Sequence, residues 1–134
     1  MGEIGAMNQH LDILLEVDGL KTYFFTDEGV VKAVDGVSFS VPRGRVVCIV
    51  GESGCGKSIT ARSIMQLIGK PGKIVEGRIL YHRSPNDTID LAALHPNSPA
   101  IRAIRGREIS MIFQEPMSSF SPVRTIGSHM IETI

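Results

Sequence analysis

Eight consecutive residues in the first half of the chain have the types and spacing of a phosphate-binding loop. Residues 51–58 read Gly-Glu-Ser-Gly-Cys-Gly-Lys-Ser, which fits the pattern G-x-x-x-x-G-K-S. The glycines allow positive φ and a close backbone approach, so successive N–H groups can point at an anion. The pattern predicts that Lys57 reaches the outer phosphates of a nucleotide and that the Ser58 hydroxyl helps to hold Mg²⁺. The predicted nucleotide contacts in this segment are Gly51, Glu52, Ser53, Gly54, Cys55, Gly56, Lys57, Ser58 and Ile59.

A strand before this loop and a helix after it must position the phosphate-binding groups. The apolar run 46–50 predicts a buried strand with Cys48 in the core. Over residues 58–68, apolar side chains recur at helical spacing, and this pattern predicts a helix with one buried apolar face. Gly69 and Pro71 predict where that helix ends. Strand, glycine loop and helix therefore follow one another in the order that the motif requires.

The residues before this unit predict an antiparallel β layer of short strands joined by tight turns. The strand-like runs are 11–18, 21–25, 30–34 and 37–41, and the turn signals are at 27–29, 35–36 and 42–44. After the helix, the patterns predict a strand over 73–81, a polar turn over 83–87, a short helix over 100–105 and a buried strand over 108–113. Ser98 and Pro99 are typical of the N-cap and first turn of that short helix. Gln114 stands at the end of the last strand, and a further helix is predicted from Val123, with Ile126, Met130 and Ile134 on its apolar stripe.

Composition limits the classes of function that need to be considered. The chain has 134 residues, no formal net charge and 21% charged residues, which suits one small globular domain. Zero net charge argues against a nucleic-acid partner held by a basic surface. Arg102, Arg105 and Arg107 form the one local basic cluster, which we interpret as a solvated helix face and loop. The two cysteines are expected to be free thiols, and Cys55 lies where a helix N-terminus can make a thiol more acidic.

These segments resemble the N-terminal part of ABC transporter ATP-binding subunits, most closely those of bacterial oligopeptide and dipeptide importers. The likeness rests on residues 34–41, on the loop 50–58, on residues 105–109 and on Phe-Gln-Glu-Pro-Met at 113–117, and it extends from about Leu14 onward. Many nucleotide-binding families share the phosphate loop, whereas the segment around Gln114 selects this one. The chain departs from the family pattern at Cys55, at 120–122 and at His129.

The resemblance implies an α/β fold. We expect a P-loop NTPase core of the ABC ATPase type with an N-terminal antiparallel β subdomain, truncated before the signature motif and the Walker B strand. The expected organisation is an N-terminal tail over 1–10 and a partial nucleotide-binding domain over 11–134. That domain would hold the β subdomain, the Walker A strand-loop-helix, the Q-loop and the start of the helical subdomain.

The resemblance also implies roles for individual residues. Lys57 and Gln114 are expected to be catalytic, Ser58 and Gln114 to contact Mg²⁺, and Phe24 to stack on the adenine of ATP, with Tyr23 or Phe25 as register alternatives. The implied partners are ATP, a second ATP-binding subunit, and transmembrane permease subunits that dock on the segment after Gln114. The implied location is peripheral, on the cytoplasmic face of the inner membrane, and the implied activity is ATP hydrolysis coupled to import of peptides or a related solute.

An alternative function is a non-catalytic nucleotide-binding module. The sequence contains no signature motif, Walker B aspartate with its catalytic glutamate, or switch histidine, so we expect the chain alone to bind ATP without useful turnover. A DNA-repair ATPase would share the loop and the glutamine but would place a coiled coil after them. A GTPase would need an Asn-Lys-x-Asp motif, which the sequence also does not contain.

Overall fold

The computed structural model describes residues 12–114 and 125–133, which form a β-rich unit with short helices. The predicted tail, the loop after Gln114 and the start of the last predicted helix lie outside the described residues. The elements are β1 (Ile13–Thr26), β2 (Gly29–Pro42), α1 (Lys57–Ile64), β3 (Gly72–Ser84), β4 (Asp87–Asp90), a 3-10 helix (Leu91–Ala93), α2 (Pro99–Ile104) and α3 (Ile126–Thr133).

The described strands form one antiparallel sheet in the order β2-β1-β3-β4. The predicted antiparallel layer is therefore confirmed, but its four short runs are joined into two strands of 14 residues each. The predicted turn at 27–29 is present between β1 and β2. The predicted turn at 35–36 is wrong, because Gly36 lies within β2 at φ 82, where the pairing skips from Leu20↔Val37 to Lys21↔Asp35. The glycine there accommodates a β-bulge rather than a reversal of the chain.

One face of this sheet carries the hydrophobic core. Val17, Leu20 and Ile79 from the central strands pack with Leu91 of the 3-10 helix and with α2. The prediction of α2 is confirmed at its N-terminus, where the Ser98 hydroxyl accepts a hydrogen bond from the Ile101 backbone N–H. This cap fixes the start of α2, so that Ile101 and Ile104 point into the core.

The fully buried residues of helix α1 carry hydroxyl groups, whereas Ile59 and Ile64 are only partly buried against the core. The buried residues are Thr60 and Ser63, and the Ser63 hydroxyl is 2.8 Å from the Thr22 hydroxyl of β1. These groups tolerate burial because each is hydrogen-bonded. The helix ends at Ile64, earlier than predicted, because the chain turns at Gln66 with φ 53. Leu67 and Ile68 therefore lie beyond the helix.

The two predicted buried strands at 46–50 and 108–113 are wrong for the described structure. Neither segment is a strand, and Val46, Val50 and Ile112 are 91%, 92% and 94% exposed. Cys48, which the pattern places in the core, is exposed as well. A strand needs neighbouring strands to satisfy its backbone hydrogen bonds, and within residues 12–114 and 125–133 only an isolated bridge between Arg105 and Ile109 reaches either segment.

Helix α3 begins at Ile126 within the range that the sequence predicts. Ile126 and Met130 are both exposed, and Ile134, the third residue of the predicted stripe, lies outside the described residues. None of the helices among the described residues combines the length and the apolar character needed to cross a membrane.

Candidate functional site

The phosphate loop, the start of α1 and Gln114 surround a cavity of about 410 Å³. Gln114 is far from the loop in sequence, and folding places it beside Lys57 and Ser58. Ser53, Gly54 and Ile59 of the predicted set also line this cavity. The complete lining is Ala33, Ser53, Gly54, Gly56, Lys57, Ser58, Ile59 and Gln114. A cationic side chain, a hydroxyl and an amide therefore converge on one cavity.

The backbone of the loop is shaped to receive an anion. Gly54 and Gly56 have φ values of 80 and 91, and Gly56 is the N-cap residue of α1. Helix α1 begins at Lys57, so the unpaired N–H groups and the positive dipole end of its first turn face the cavity. A phosphate bound there would be stabilised by backbone groups as well as by side chains.

The Lys57 side chain reaches back from the end of the loop to its first two residues. It donates hydrogen bonds to the backbone carbonyls of Gly51 and Glu52 at 2.5 and 2.6 Å. The Gly51 and Glu52 side of the loop therefore supplies acceptors for Lys57, while Ser53, Gly54 and Gly56 contribute to the cavity wall. An arriving phosphate oxygen would replace these neutral carbonyls with a charged acceptor, which forms a stronger hydrogen bond.

Strand β2 supports the loop from behind through Ala33. The pairing of β1 with β2 shifts between Thr22↔Val34 and Tyr23↔Lys32, which leaves Ala33 as the extra residue of a bulge. A Cβ atom at Gly56 would lie 2.3 Å from the Ala33 carbonyl oxygen. Only glycine fits at position 56 with the sheet this close. Sequence reasoning missed Ala33, because no residue type around it indicates which face of the sheet meets the loop.

The residues present suit Mg²⁺ bound together with a nucleotide. Ser58 and Gln114 offer oxygen ligands at one cavity, and Mg²⁺ usually takes one or two protein oxygens in addition to phosphates and water. No group of three or more His, Cys, Asp or Glu side chains among the described residues could hold a metal by itself. The metal would therefore be held in part by the phosphates of its ligand.

Comparison with known proteins decides the family. The family model described as "ABC transporter" matches residues 34–130, which is most of the chain. The chain belongs to the ABC transporter family. The oligopeptide transport ATP-binding protein AppD of Bacillus subtilis is 47% identical over 92% of this chain and 36% of its own length. The probable peptide ABC transporter ATP-binding protein y4tR of Sinorhizobium fredii is 41% identical over 95% of this chain and 36% of its own.

A third relative has a name that refers to glutathione import. The glutathione import ATP-binding protein GsiA of Escherichia coli is 40% identical over 90% of this chain and 19% of its own length. The chain spans about a third of the length of AppD and y4tR. Within the ABC transporter family, the matched region contains both the phosphate loop and Gln114.

The three aromatic residues of β1 lie away from the cavity of this ABC transporter chain. Phe24 is half-buried, and its ring packs where a Cβ of Gly72 would lie, beside Ile68. The Tyr23 hydroxyl donates to Asp35, and the Lys73 ammonium sits 4.8 Å from the centre of the Phe25 ring. None of the three lines the cavity beside Lys57. The role of Phe24 in adenine stacking stays a prediction.

Cys55 lies in contact with Lys57. Lys57 Nζ donates a hydrogen bond to Cys55 Sγ at 3.3 Å, and this contact lowers the pKa of the thiol. A lower pKa means a larger thiolate fraction near neutral pH, and the thiolate is the reactive form. The cysteine therefore differs chemically from Cys48, which is also exposed.

We expect thiol reagents to distinguish the two cysteines. At pH 7, iodoacetamide should alkylate Cys55 several-fold faster than Cys48, because the contact with Lys57 lowers the pKa of the Cys55 thiol and so raises its thiolate fraction. Lys57→Met should slow alkylation of Cys55 and leave Cys48 unchanged. Peptide mass spectrometry over time measures both rates, and equal rates at the two cysteines would contradict the prediction.

Proposed function

We propose that this chain binds MgATP in the cavity beside the phosphate loop. We further propose that it forms the N-terminal part of a subunit that couples ATP hydrolysis to import of peptides or a related solute. The observation that carries the first proposal is that Lys57, Ser58 and Gln114 line one cavity at the N-terminus of α1. A cation, a hydroxyl and an amide at a positive helix end suit a polyphosphate with its metal.

Each group has a distinct task in this proposal. Lys57 leaves the carbonyls of Gly51 and Glu52 and pairs with the outer phosphates, while the backbone of residues 53–56 donates to the phosphate oxygens. Bound Mg²⁺ neutralises phosphate charge, and Ser58 and Gln114 hold and orient it. In the complete subunit Gln114 also orients the attacking water. The adenine stacks on Phe24, or on Tyr23 or Phe25 if the register differs.

The transport role rests on the relatives. AppD, y4tR and GsiA carry names that refer to oligopeptide, peptide and glutathione transport, so we propose a peptide or related solute here. By the same reasoning the partners are a second ATP-binding subunit and transmembrane permease subunits, with no nucleic acid. The permease contact would use the segment after Gln114, and the subunit would be peripheral, on the cytoplasmic face of the inner membrane.

Binding without turnover is the alternative that the site itself favours for this chain alone. None of the described residues that line the cavity carries a carboxylate that could complete the Mg²⁺ shell or act as a base. We therefore propose that the 134-residue chain binds ATP and that hydrolysis belongs to the complete subunit. Phosphate release by the purified chain that is lost in Lys57→Met would overturn this restriction.

Metal dependence tests the proposed function. Calorimetric titration of the chain with ATP should give a measurable affinity in Mg²⁺, and chelation of the metal should weaken it. Ser58→Ala should lower MgATP affinity about fivefold and reduce its dependence on Mg²⁺, since one hydroxyl contact is worth about 1 kcal/mol.

A matched serine controls for the change of residue type. Ser84 is exposed at the end of β3, so Ser84→Ala should bind as the wild type does. If the wild-type chain binds no MgATP at millimolar concentration, the proposed function is wrong. If Ser58→Ala keeps full affinity and full Mg²⁺ dependence, the metal role of Ser58 is wrong.

A further inference from the structure

We infer that Arg105 is a positioning residue, which holds the segment that carries Gln114 against the C-terminal end of α1. The inference rests on the proposed function, because the position of Gln114 matters only if a nucleotide binds beside it. The sequence interpretation of Arg102, Arg105 and Arg107 as a solvated cluster is wrong for Arg105. It is half-buried, whereas the other two are exposed.

The guanidinium of Arg105 caps the end of α1. Its Nε donates to the Met65 carbonyl at 2.8 Å, and its Nη2 donates to the Gln66 carbonyl at 2.5 Å. Met65 is the C-cap residue of α1 and Gln66 follows it, so both carbonyls lie near the negative end of the helix dipole. A planar guanidinium can donate to both carbonyls at once, and its positive charge interacts favourably with that dipole.

The residues at the end of α1 that accept hydrogen bonds from Arg105 are themselves anchored to the core. Met65 and Gln66 are both buried, and the Gln66 side-chain amide donates to the Leu91 carbonyl at 2.7 Å. Since α1 has only eight residues, its first residues, Lys57 and Ser58, are linked rigidly to this anchored end. The position of the phosphate-binding groups is thus set relative to the carbonyls that Arg105 contacts.

On its other side, Arg105 begins the segment that leads to Gln114. Its backbone pairs with Ile109 in an isolated bridge, and the turn between them is closed by the Gly106 N–H donating to the Ile109 carbonyl at 2.8 Å. The Ile109 N–H donates to the Ile104 carbonyl at 3.1 Å. From Ile109 the chain runs to Gln114 without a strand ladder, so residues 110–114 take their course from this turn.

A second, smaller cavity shows that the segment before Gln114 lies beside α1. It has a volume of about 210 Å³ and lies between α1 and the segment before Gln114, with Ser58 and Gln114 shared by both cavities. Without the Arg105 guanidinium, the segment that leads to Gln114 loses one of its contacts with α1. Gln114 is then no longer kept at a set distance from Ser58. The contacts of Gln114 with the third phosphate and its metal should weaken, whereas the contacts made by the loop and Lys57 should remain.

The ratio of MgATP to ADP affinity measures this effect. In Arg105→Gln we expect MgATP affinity to fall about fivefold with ADP affinity unchanged, since one charged hydrogen-bonded contact near the third phosphate is weakened. Arg105→Lys keeps the charge but not the two-pronged geometry, so it should fall between Arg105→Gln and the wild type. Arg107→Gln removes the same charge from an exposed position two residues away and should match the wild type.

A double-mutant cycle separates positioning from general weakening. In a Gln114→Ala background, Arg105→Gln should change the ratio of the two affinities no further, because it acts through Gln114. Equal loss of MgATP and ADP affinity, or an additive effect in the Gln114→Ala background, would overturn the inference. If Arg105→Gln does not fold, the same cycle with Arg105→Lys decides the question.

Hydrogen exchange tests the contact without any nucleotide. In the wild-type chain the amides of Glu108 and Ile109 are hydrogen-bonded to the Ile104 carbonyl. Arg105→Lys should speed exchange at these two amides about tenfold and Arg107→Gln should not. Unchanged exchange in Arg105→Lys would overturn the inference even if MgATP binds. Absence of MgATP binding by the wild type would overturn the proposed function and leave this measurement valid.

Discussion

Replacing Lys57 with methionine should lower the MgATP affinity of this chain about 10- to 150-fold, since hydrogen bonds to charged groups contribute about 1.5–3 kcal/mol. Methionine has a similar length and no charge, so the cavity keeps its shape while the phosphates lose their cationic partner. Thermal stability should change little, because the Lys57 contacts to Gly51 and Glu52 are exposed. Calorimetric titration and a melting curve measure the two quantities.

Lys70→Met provides the matched control. Lys70 is exposed in the turn before β3, and its loss changes the net charge of the chain by the same amount. Its MgATP affinity should equal that of the wild type at each salt concentration. An equal loss of affinity in both variants would mean that net charge, and not the ammonium in the loop, controls binding. Full affinity in Lys57→Met would refute the assigned role.

Replacing Gly56 with alanine should lower the free energy of unfolding by about 2–4 kcal/mol, as the sum of left-handed strain and overpacking. Gly56 has φ 91, and its new Cβ would lie 2.3 Å from the Ala33 carbonyl oxygen. A backbone carbonyl in a strand cannot rotate away as a flexible side chain can, so α1 or β2 must shift. The shift moves the start of α1, and MgATP affinity should fall about tenfold or more.

Gly44→Ala separates strain from collision. Gly44 also has positive φ, at 67, but no atom lies within 4 Å of its added Cβ, and it does not line the cavity. It should cost about 1 kcal/mol of stability through strain alone and leave MgATP binding unchanged. Urea unfolding of the three proteins measures the difference. Equal destabilisation in both variants would show that the contact with Ala33 is unimportant.

Local patterns predicted the parts of the fold whose hydrogen bonds close within a few residues. The N-cap at Ser98, the turn before Gly29 and the left-handed glycines of the phosphate loop all depend on near neighbours in sequence. The family resemblance brought Gln114 into the predicted site although it is remote in sequence. The structure places it beside Lys57, where no periodicity of the sequence could have placed it.

The sequence patterns gave wrong predictions where the structure of a segment depends on which strands or helices pack beside it. The run 46–50 and residues 108–113 have the composition of buried strands, yet neither is a strand in the described part of the chain, and only Ile109 is paired, in an isolated bridge. Apolar side chains indicate that a segment would gain from burial, but burial also needs a neighbouring strand or helix. The predicted turn at Gly36 is wrong for a similar reason, since a glycine between strand-like residues is compatible with a bulge as well as with a turn.

The sequence by itself determined the phosphate-binding prediction for this protein, because such a loop needs only the right residues in the right order directly before a helix. Spacing alone predicts that Lys57 binds phosphate and that Ser58 binds the metal. Only the tertiary structure decided how these groups are held. The Ala33 bulge behind Gly56 and the grip of Arg105 on the end of α1 join residues distant in sequence, and such contacts depend on how the elements pack.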